Sequence, residues 1–202
     1  MKKDNALLMK EARETLAGRW GLAIGFCFLY MLITIVVQSP RKIGSLFGLV
    51  IGGPMLFGLA TFSLAFSRKQ EASVSQLFLG FNEFGRTFVA YFLRILFILL
   101  WALLLIVPGI IAALSYSQTF YILAEDKTIS GGEAIKKSKA MMYGNKKKLF
   151  FLCLRFLGWA LLSILTLGIG FLWLIPYVQI TMAKFYDDIS GKMVAPNPAP
   201  AQ

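Results

Sequence analysis

The sequence predicts an all-α polytopic membrane protein with six transmembrane helices. Its 202 residues are 57% hydrophobic, and the mean hydropathy is +0.69, which exceeds what a water-soluble domain can bury. The apolar residues form long runs between charged segments. A shift of 61 positions also superposes five residues of the rarer types: Arg94 on Arg155, Gly109 on Gly170, Tyr116 on Tyr177, Gln118 on Gln179 and Asp126 on Asp187. Such a repeat predicts tandem units, each an amphipathic surface helix followed by a two-span hairpin.

The first of three units covers residues 1–66. Leu8, Ala12 and Leu16 share one helical face among charged residues, so residues 1–19 are predicted as an amphipathic helix at the membrane surface. Residues 20–37 form the first predicted span, and residues 43–66 the second.

The second span contains three glycines at four-residue spacing: Gly44, Gly48 and Gly52. Glycines at this spacing form a flat stripe that another helix can approach closely. The stripe predicts a packing seam, within this chain, with a membrane-protein partner or with a second copy.

The second unit covers residues 67–126. Ser73 and Gln76 have capping-box spacing, which predicts a helix with Val74, Leu77, Phe78 and Phe81 on its apolar face. The third span is predicted over residues 88–107 and the fourth over residues 110–124, with a break at Pro108–Gly109.

The third unit covers residues 127–189 and completes a single membrane domain over residues 1–189. A second capping box joins Ser130 and Glu133. Residues 149–167 and 171–185 form the last two spans, the sixth interrupted by Pro176. Residues 190–202 are rich in Pro and Ala and predict a disordered tail.

Charge sets the expected orientation. With six spans, 17 of the 21 Lys and Arg and all ten acidic residues fall on the side that holds both termini. The positive-inside rule therefore predicts cytoplasmic termini in the plasma membrane. The net charge of +11 is explained in the same way, without a nucleic-acid partner.

Arg94 and Arg155 lie within predicted spans, where arginine is costly and is by default a functional candidate. Each lies about two turns from the cytoplasmic end, so its side chain can snorkel to lipid phosphates. The alternatives are pairing with a carboxylate (Glu125, Asp126, Asp187 or Asp188) and binding of an anion.

Four further polar residues lie near mid-membrane: Tyr116, Gln118, Tyr177 and Gln179. Hydrogen bonds between helices account for them, because an uncompensated amide in lipid is unfavourable. A polar substrate cavity is the alternative, and these four residues with Arg94 and Arg155 are the candidate ligand site.

A lysine-rich segment follows the fourth span and contains Lys136, Lys137, Lys139, Lys146, Lys147 and Lys148. It predicts either a site for anionic lipid head groups or a topology determinant alone. The chain has no histidine and no pairing of a nucleophile with a base, no metal-ligand cluster and no phosphate-binding loop. It therefore predicts no catalytic residue, metal or cofactor.

Several motifs together resemble a known family: Pro108-Gly109-Ile110, Glu133-Ala134-Ile135-Lys136, Gly144-Asn145 and Leu165 through Gly170 followed by Pro176-Tyr177. The sequence resembles the uncharacterised six-span integral membrane proteins of Gram-positive bacteria classed as a domain of unknown function. It is similar, more distantly, to the membrane domain attached to some glycerophosphodiester phosphodiesterases. The resemblance implies the fold but no catalytic residues, because the phosphodiesterase domain itself is absent.

The expected function is non-enzymatic: binding or moving a lipid-like or amphiphilic molecule, with anionic lipids as partners, at the cytoplasmic leaflet. The alternative is a scaffold that recruits another membrane protein or forms a homo-oligomer through the glycine stripe.

Overall fold

The computed structural model describes residues 3–37 and 44–191, and the side chains of residues 37 and 44–47 lie outside this description. Every regular element in the described residues is a helix. The elements are α1 Asn5–Leu16, α2 Trp20–Val37, α3 Gly44–Ser67, a 3-10 turn Val74–Phe78, α4 Leu79–Asn82, α5 Phe84–Leu104, α6 Ile106–Ser115, α7 Thr119–Glu125, α8 Gly131–Met141, α9 Lys146–Leu165 and α10 Phe171–Ser190.

Four segments are long and apolar enough to cross a membrane: Gly48–Ser67, Phe84–Leu104, Ile106–Glu125 and Lys146–Leu165. The pair α1 and α2, bent by 100°, makes a fifth if it counts as one span. The predicted sixth span, α10, is not among them; its C-terminal half carries Lys184, Asp187 and Asp188.

The apolar surface of these segments fits a membrane protein. Only 11% of the apolar window in α5 and 22% of that in α9 is buried within the chain. A continuous apolar surface of this kind is unusual in a water-soluble monomer.

Helix α1 buries the apolar face that its sequence predicts. Asp4 caps it by accepting a hydrogen bond from the Ala6 N–H at 3.2 Å. Leu8, Ala12 and Leu16 share one face as predicted and are all buried. That face packs on protein instead of lipid, because Leu8 joins an apolar cluster with α9 and α10 while the other two pack with α2 and α3.

The second hairpin differs from its predicted outline. The break falls at Leu105, and Pro108–Gly109 lies in the first turns of α6. Proline is tolerated there because the first turn of a helix has no intrahelical bonds from its N–H groups to lose. Residues 116–118 then separate α6 from α7.

The two capping-box predictions had opposite outcomes. Ser130 and Glu133 form both reciprocal hydrogen bonds, which confirms the second box. The first is wrong: Ser73 makes no capping bond, and its hydroxyl instead lies 2.7 Å from that of Ser75. Of the apolar face predicted there, only Leu77 is buried.

Helix α10 continues through Pro176, so the predicted interruption is wrong. The polar connection before Gly44 and most of the predicted tail, from residue 192, lie outside the described residues.

Glycines allow α3 to pack closely on its neighbours. A Cβ on Gly53 would lie 2.4 Å from the Thr87 carbonyl oxygen of α5, and one on Gly58 would lie 2.2 Å from that of Leu77. Gly52, in the predicted stripe, lies against the Tyr91 ring of α5. Gly48 is partly buried, and Gly44 lies where side-chain surroundings are not described.

Candidate functional site

The C-terminal ends of α3, α7 and α10 meet in one ionic cluster. The guanidinium of Arg68, just after α3, donates to Asp187 of α10 at 2.6 Å and to Glu125 of α7 at 2.7 Å. Tyr186 donates from its hydroxyl to the other oxygen of Glu125 at 2.7 Å. Burial alone would lower the pKa of Arg68, but the hydrogen bonds and charges of the two carboxylates outweigh it and raise the pKa above its usual range. The cluster holds the C-terminal ends of α3, α7 and α10 together.

A second set of ionic contacts adds α1 and α9 to this end of the molecule. Lys148 binds the Asp188 carboxylate at 2.5 Å, and the Lys3 backbone N–H donates to the same carboxylate at 2.8 Å. Asn5 donates from its side chain to the Lys148 carbonyl oxygen at 2.9 Å. These two clusters, which contain Lys3, Arg68, Glu125, Lys148, Asp187 and Asp188, are called the charged end below.

Beside these contacts lies a shallow polar pocket of about 540 Å³ between the start of α1 and α9. It is lined by Lys3, Asp4, Asn5, Lys148, Phe151 and Arg155. Two of its three cations already have carboxylate partners, since Lys3 pairs with Glu11 at 2.5 Å and Lys148 with Asp188. Arg155 is exposed and has neither ion pair nor hydrogen bond within the part of the chain that is described.

The pocket also has an unused acceptor. The side-chain oxygen of Asn5 is buried and lacks a hydrogen-bond partner among residues 3–37 and 44–191. Buried polar atoms are normally satisfied, so a lone one calls for an explanation such as a bound molecule. The pocket therefore presents a free guanidinium, and the unpaired Asn5 oxygen is buried in its lining.

Arg94 has a different environment from Arg155, although the 61-residue offset predicts that the two are equivalent. Its guanidinium lies over the Phe120 ring, 5.7 Å from the centroid. Tyr91 and Tyr121 are near enough to interact with it electrostatically. Neither Arg94 nor Arg155 forms an ion pair in the described residues. Of the four acids proposed as partners, Glu125 and Asp187 pair with Arg68, Asp188 with Lys148, and Asp126 lies by Lys137.

The other predicted ligand residues do not gather in one site. Tyr116 is buried beside Phe97, with ring centroids 6.0 Å apart. Gln118 is buried and donates from its side chain to the Ser117 hydroxyl at 3.0 Å, while its side-chain oxygen has no partner in the described residues.

In the third unit, Tyr177 donates from its hydroxyl to the Met9 carbonyl oxygen of α1 at 3.2 Å. Gln179 is partly buried. The structure thus uses Tyr177 to hold α1 against α10.

The predicted basic segment divides into two groups. Lys136, Lys137, Lys139 and Lys147 are exposed, and Lys137 lies 3.7 Å from Asp126. Lys146 is partly buried, and Lys148 belongs to the charged end.

One contact recurs with the predicted offset. A Cβ on Gly109 would lie 2.9 Å from Ala102, and a Cβ on Gly170 would lie 2.9 Å from Ser163. Each glycine therefore sits against the residue seven positions before it, across the turn of its own hairpin. Ala102 and Ser163 are themselves 61 positions apart.

Sequence reasoning missed Arg68, Lys3 and Asn5 as important residues. Arg68 had a detectable signal, because it follows one hairpin directly and the other two hairpins end in acids. Lys3 and Asn5 had none, since nothing local indicates that the chain start docks on α9.

Comparison with known proteins identifies a family but assigns no activity. No curated protein and no solved structure matches the chain. A family model described as "Protein of unknown function (DUF975)" matches residues 1–115 and 103–193. These two matches cover nearly the whole chain, and the protein therefore belongs to the DUF975 family of unknown function.

Proposed function

We propose that this protein is a non-enzymatic membrane protein that binds the head group of an anionic lipid in the polar pocket at its charged end. The observation that carries the proposal is Arg155, an exposed arginine without a partner in the described residues, placed on an apolar helix beside Lys3 and Lys148. One wall of the pocket is α9, a helix long and apolar enough to cross a membrane, so the ligand is expected to arrive from the bilayer.

The chemistry of the pocket favours a phosphate that carries a hydroxyl-bearing group. A guanidinium binds two phosphate oxygens in a planar fork. The unpaired oxygen of Asn5 is buried, so it can accept a hydrogen bond from a head-group hydroxyl only when the lining moves to expose it. Asp4 is the one carboxylate in the lining, and it opposes the binding of anions.

A binding role is also favoured over catalysis by the chemistry of the chain. The sequence contains no histidine. Glu125, Asp187 and Asp188, the most buried carboxylates of the charged end, are engaged by cations.

Lipid retention measured by native mass spectrometry tests the proposal. The protein is purified from vesicles of equal parts phosphatidylglycerol and phosphatidylcholine. We expect wild type to retain phosphatidylglycerol selectively. Arg155→Ala should lower its retention about tenfold, the equivalent of one charge-assisted hydrogen-bonded contact.

Two further variants distinguish specific head-group binding by Arg155 from snorkelling of its side chain and from a general effect of positive charge. Arg155→Lys keeps the charge but loses the fork, so it should also retain less lipid. Lys147→Ala removes a positive charge from the same helix outside the pocket and should retain lipid like wild type. Equal retention by wild type and Arg155→Ala would remove the head-group site.

We also propose six membrane crossings, three hairpin units and cytoplasmic termini in the plasma membrane. Positive charge on one side supports this orientation, and the meeting of the three hairpin ends at Arg68 supports the units. Single cysteines replacing Ser39, Gln70 and Lys137, in a chain without Cys27 and Cys153, are treated with an impermeant reagent on intact cells. Only position 39 should react, and labelling at 137 would refute the topology.

The scaffold alternative is less well supported. Gly52, one of the three stripe glycines, is covered by Tyr91 of the same chain. The part of the stripe left for a partner is correspondingly shorter.

A further inference from the structure

A second cavity, of about 390 Å³, lies between the α1–α2 junction and the α9–α10 hairpin. Three of the four tryptophans of the chain line it, Trp20, Trp159 and Trp173. Arg13 and Tyr177 also line it. None of the residues that form the polar pocket takes part, although Trp159 lies only one turn beyond Arg155 on α9.

The cavity is polar at one end only. The side chain of Arg13 is exposed and has neither ion pair nor hydrogen bond within the described ranges. At the other end, by the α9–α10 turn, Thr166 already accepts from the Gly170 N–H at 3.0 Å and donates to the Ser163 carbonyl oxygen at 2.8 Å. The Thr166 hydroxyl there already has hydrogen-bond partners within the chain, so an apolar group fits that end of the cavity best.

The cavity is also elongated. Its lining on α10 runs from Gly170 to Tyr177, seven residues or about 10 Å of helix. At roughly 30 Å³ for each water-sized group, it accommodates about a dozen heavy atoms. This space is enough for one hydrocarbon chain of that size.

We infer that this cavity binds a single-chain amphiphile with an anionic head, the chain lying among the three tryptophans and the head at Arg13. Indole rings supply a large apolar surface, and a guanidinium binds carboxylate and phosphate alike. The inference goes beyond the proposed head-group site, because it concerns another cavity and another arginine.

Tryptophan fluorescence tests it directly. Trp101→Phe removes the one tryptophan outside the cavity and leaves three reporters. The protein in detergent is titrated with 11-bromoundecanoate, whose terminal bromine quenches indoles that it contacts. We expect saturable quenching, with at least about tenfold weaker binding of neutral 11-bromoundecanol.

Variants in this background locate the ligand. Arg13→Gln should abolish the preference for the acid over the alcohol. Leu162→Phe fills the cavity and should weaken quenching, whereas Leu161→Phe, on the neighbouring exposed position, should not. Both leucines are more than half exposed, so neither variant is expected to disturb the fold.

Competition between ligands identifies the chemical class of the anionic head group. The variants at Arg13 and Arg155 test this cavity and the polar pocket independently of each other. Displacement by dodecanoate alone indicates a carboxylate ligand, and displacement by monododecyl phosphate a phosphate ligand; both support the inference. Arg155→Ala should leave the quenching intact and Arg13→Gln should leave phosphatidylglycerol retention intact. Equal quenching by acid and alcohol in wild type, or equal effects of the two leucine variants, would overturn the inference.

Discussion

Replacing Arg68 by alanine should destabilise the fold, because this arginine joins α7 and α10 to the end of α3. Its guanidinium makes four hydrogen bonds to carboxylates, at 2.6, 3.2 and 3.5 Å to Asp187 and at 2.7 Å to Glu125. The variant leaves both acids without their cation in a site where the side chains of the three residues are only 11–17% exposed. Breaking one partner of a fully buried pair costs about 3–5 kcal/mol. Solvent screening at this residual exposure reduces the expected cost to about 2–4 kcal/mol.

Thermal unfolding in detergent measures this cost. For a chain of this size the loss corresponds to a melting temperature roughly 5–15 °C lower. Lys10→Ala is the matched control, because it also removes one cation but from a side chain that is 73% exposed and 3.9 Å from its partner Glu14; its melting temperature should stay near wild type. Adding Glu125→Gln and Asp187→Asn to Arg68→Ala should recover part of the loss, since no unpaired charge then remains. Equal melting temperatures for the Arg68 and Lys10 variants would refute the reasoning.

Three shorter predictions concern packing, the polar pocket and a helix cap. Gly80→Ala should lower stability by about 1–3 kcal/mol, because its Cβ would stand 2.1 Å from a carbonyl oxygen of α3; Gly25→Ala, with nothing within 4 Å, should melt no lower than wild type, and equal melting of the two would count against close packing there. Asp4→Asn keeps a capping residue but removes the negative charge of the pocket, so phosphatidylglycerol retention should rise, and a fall would contradict the charge argument. Hydrogen bonds from the hydroxyl and the N–H of Ser130 lower the pKa of Glu133. Their contribution to the stability of the fold is therefore present above the ordinary glutamate pKa and is lost as pH falls through the lowered value. Ser130→Ala should bring that pKa, measured by carboxyl NMR, back towards its ordinary value; an unchanged pKa would disprove the cap's role.

Local sequence patterns predicted helix faces and helix ends well where residue spacing alone determines them. The face of Leu8, Ala12 and Leu16 and the box of Ser130 and Glu133 follow from spacing alone. The start of α2 at Trp20 was also predicted, because the apolar run begins there.

Predictions from the sequence were less accurate where contacts between distant parts of the chain determine the local structure. Ser73 and Gln76 have the same spacing as the confirmed box, yet residues 74–78 form a 3-10 turn. Leu77 packs there against Gly58 of α3, and this tertiary contact fixes the turn. Spacing along the chain contains no information about such a contact.

The candidate site could be predicted only in part for the same reason. Arg155 and Lys148 were expected to bind a ligand or a lipid head group. Their joint pocket with Lys3 and Asn5 depends on contacts such as that between Asn5 and Lys148, 143 positions apart. The pairing of Arg68 with Glu125 and Asp187 is likewise a property of how the hairpins assemble.

Arg94 and Arg155 provide a last test, because the repeat alone predicts that the two arginines behave alike. The structure distinguishes them: Arg94 lies over Phe120 and beside tyrosines, whereas Arg155 is exposed in a polar pocket. A cation over an aromatic ring contributes from about 0.5–1 kcal/mol when exposed to about 2 kcal/mol when desolvated, and the packed stem of Arg94 adds to this. Arg94→Ala should therefore lower the free energy of unfolding by about 1–3 kcal/mol, and Arg155→Ala by no more than about 0.5 kcal/mol. Melting temperatures of the two variants measure the difference. Equal shifts would mean that the environment of Arg94 contributes nothing to stability, and that both arginines serve the one role implied by their 61-residue spacing.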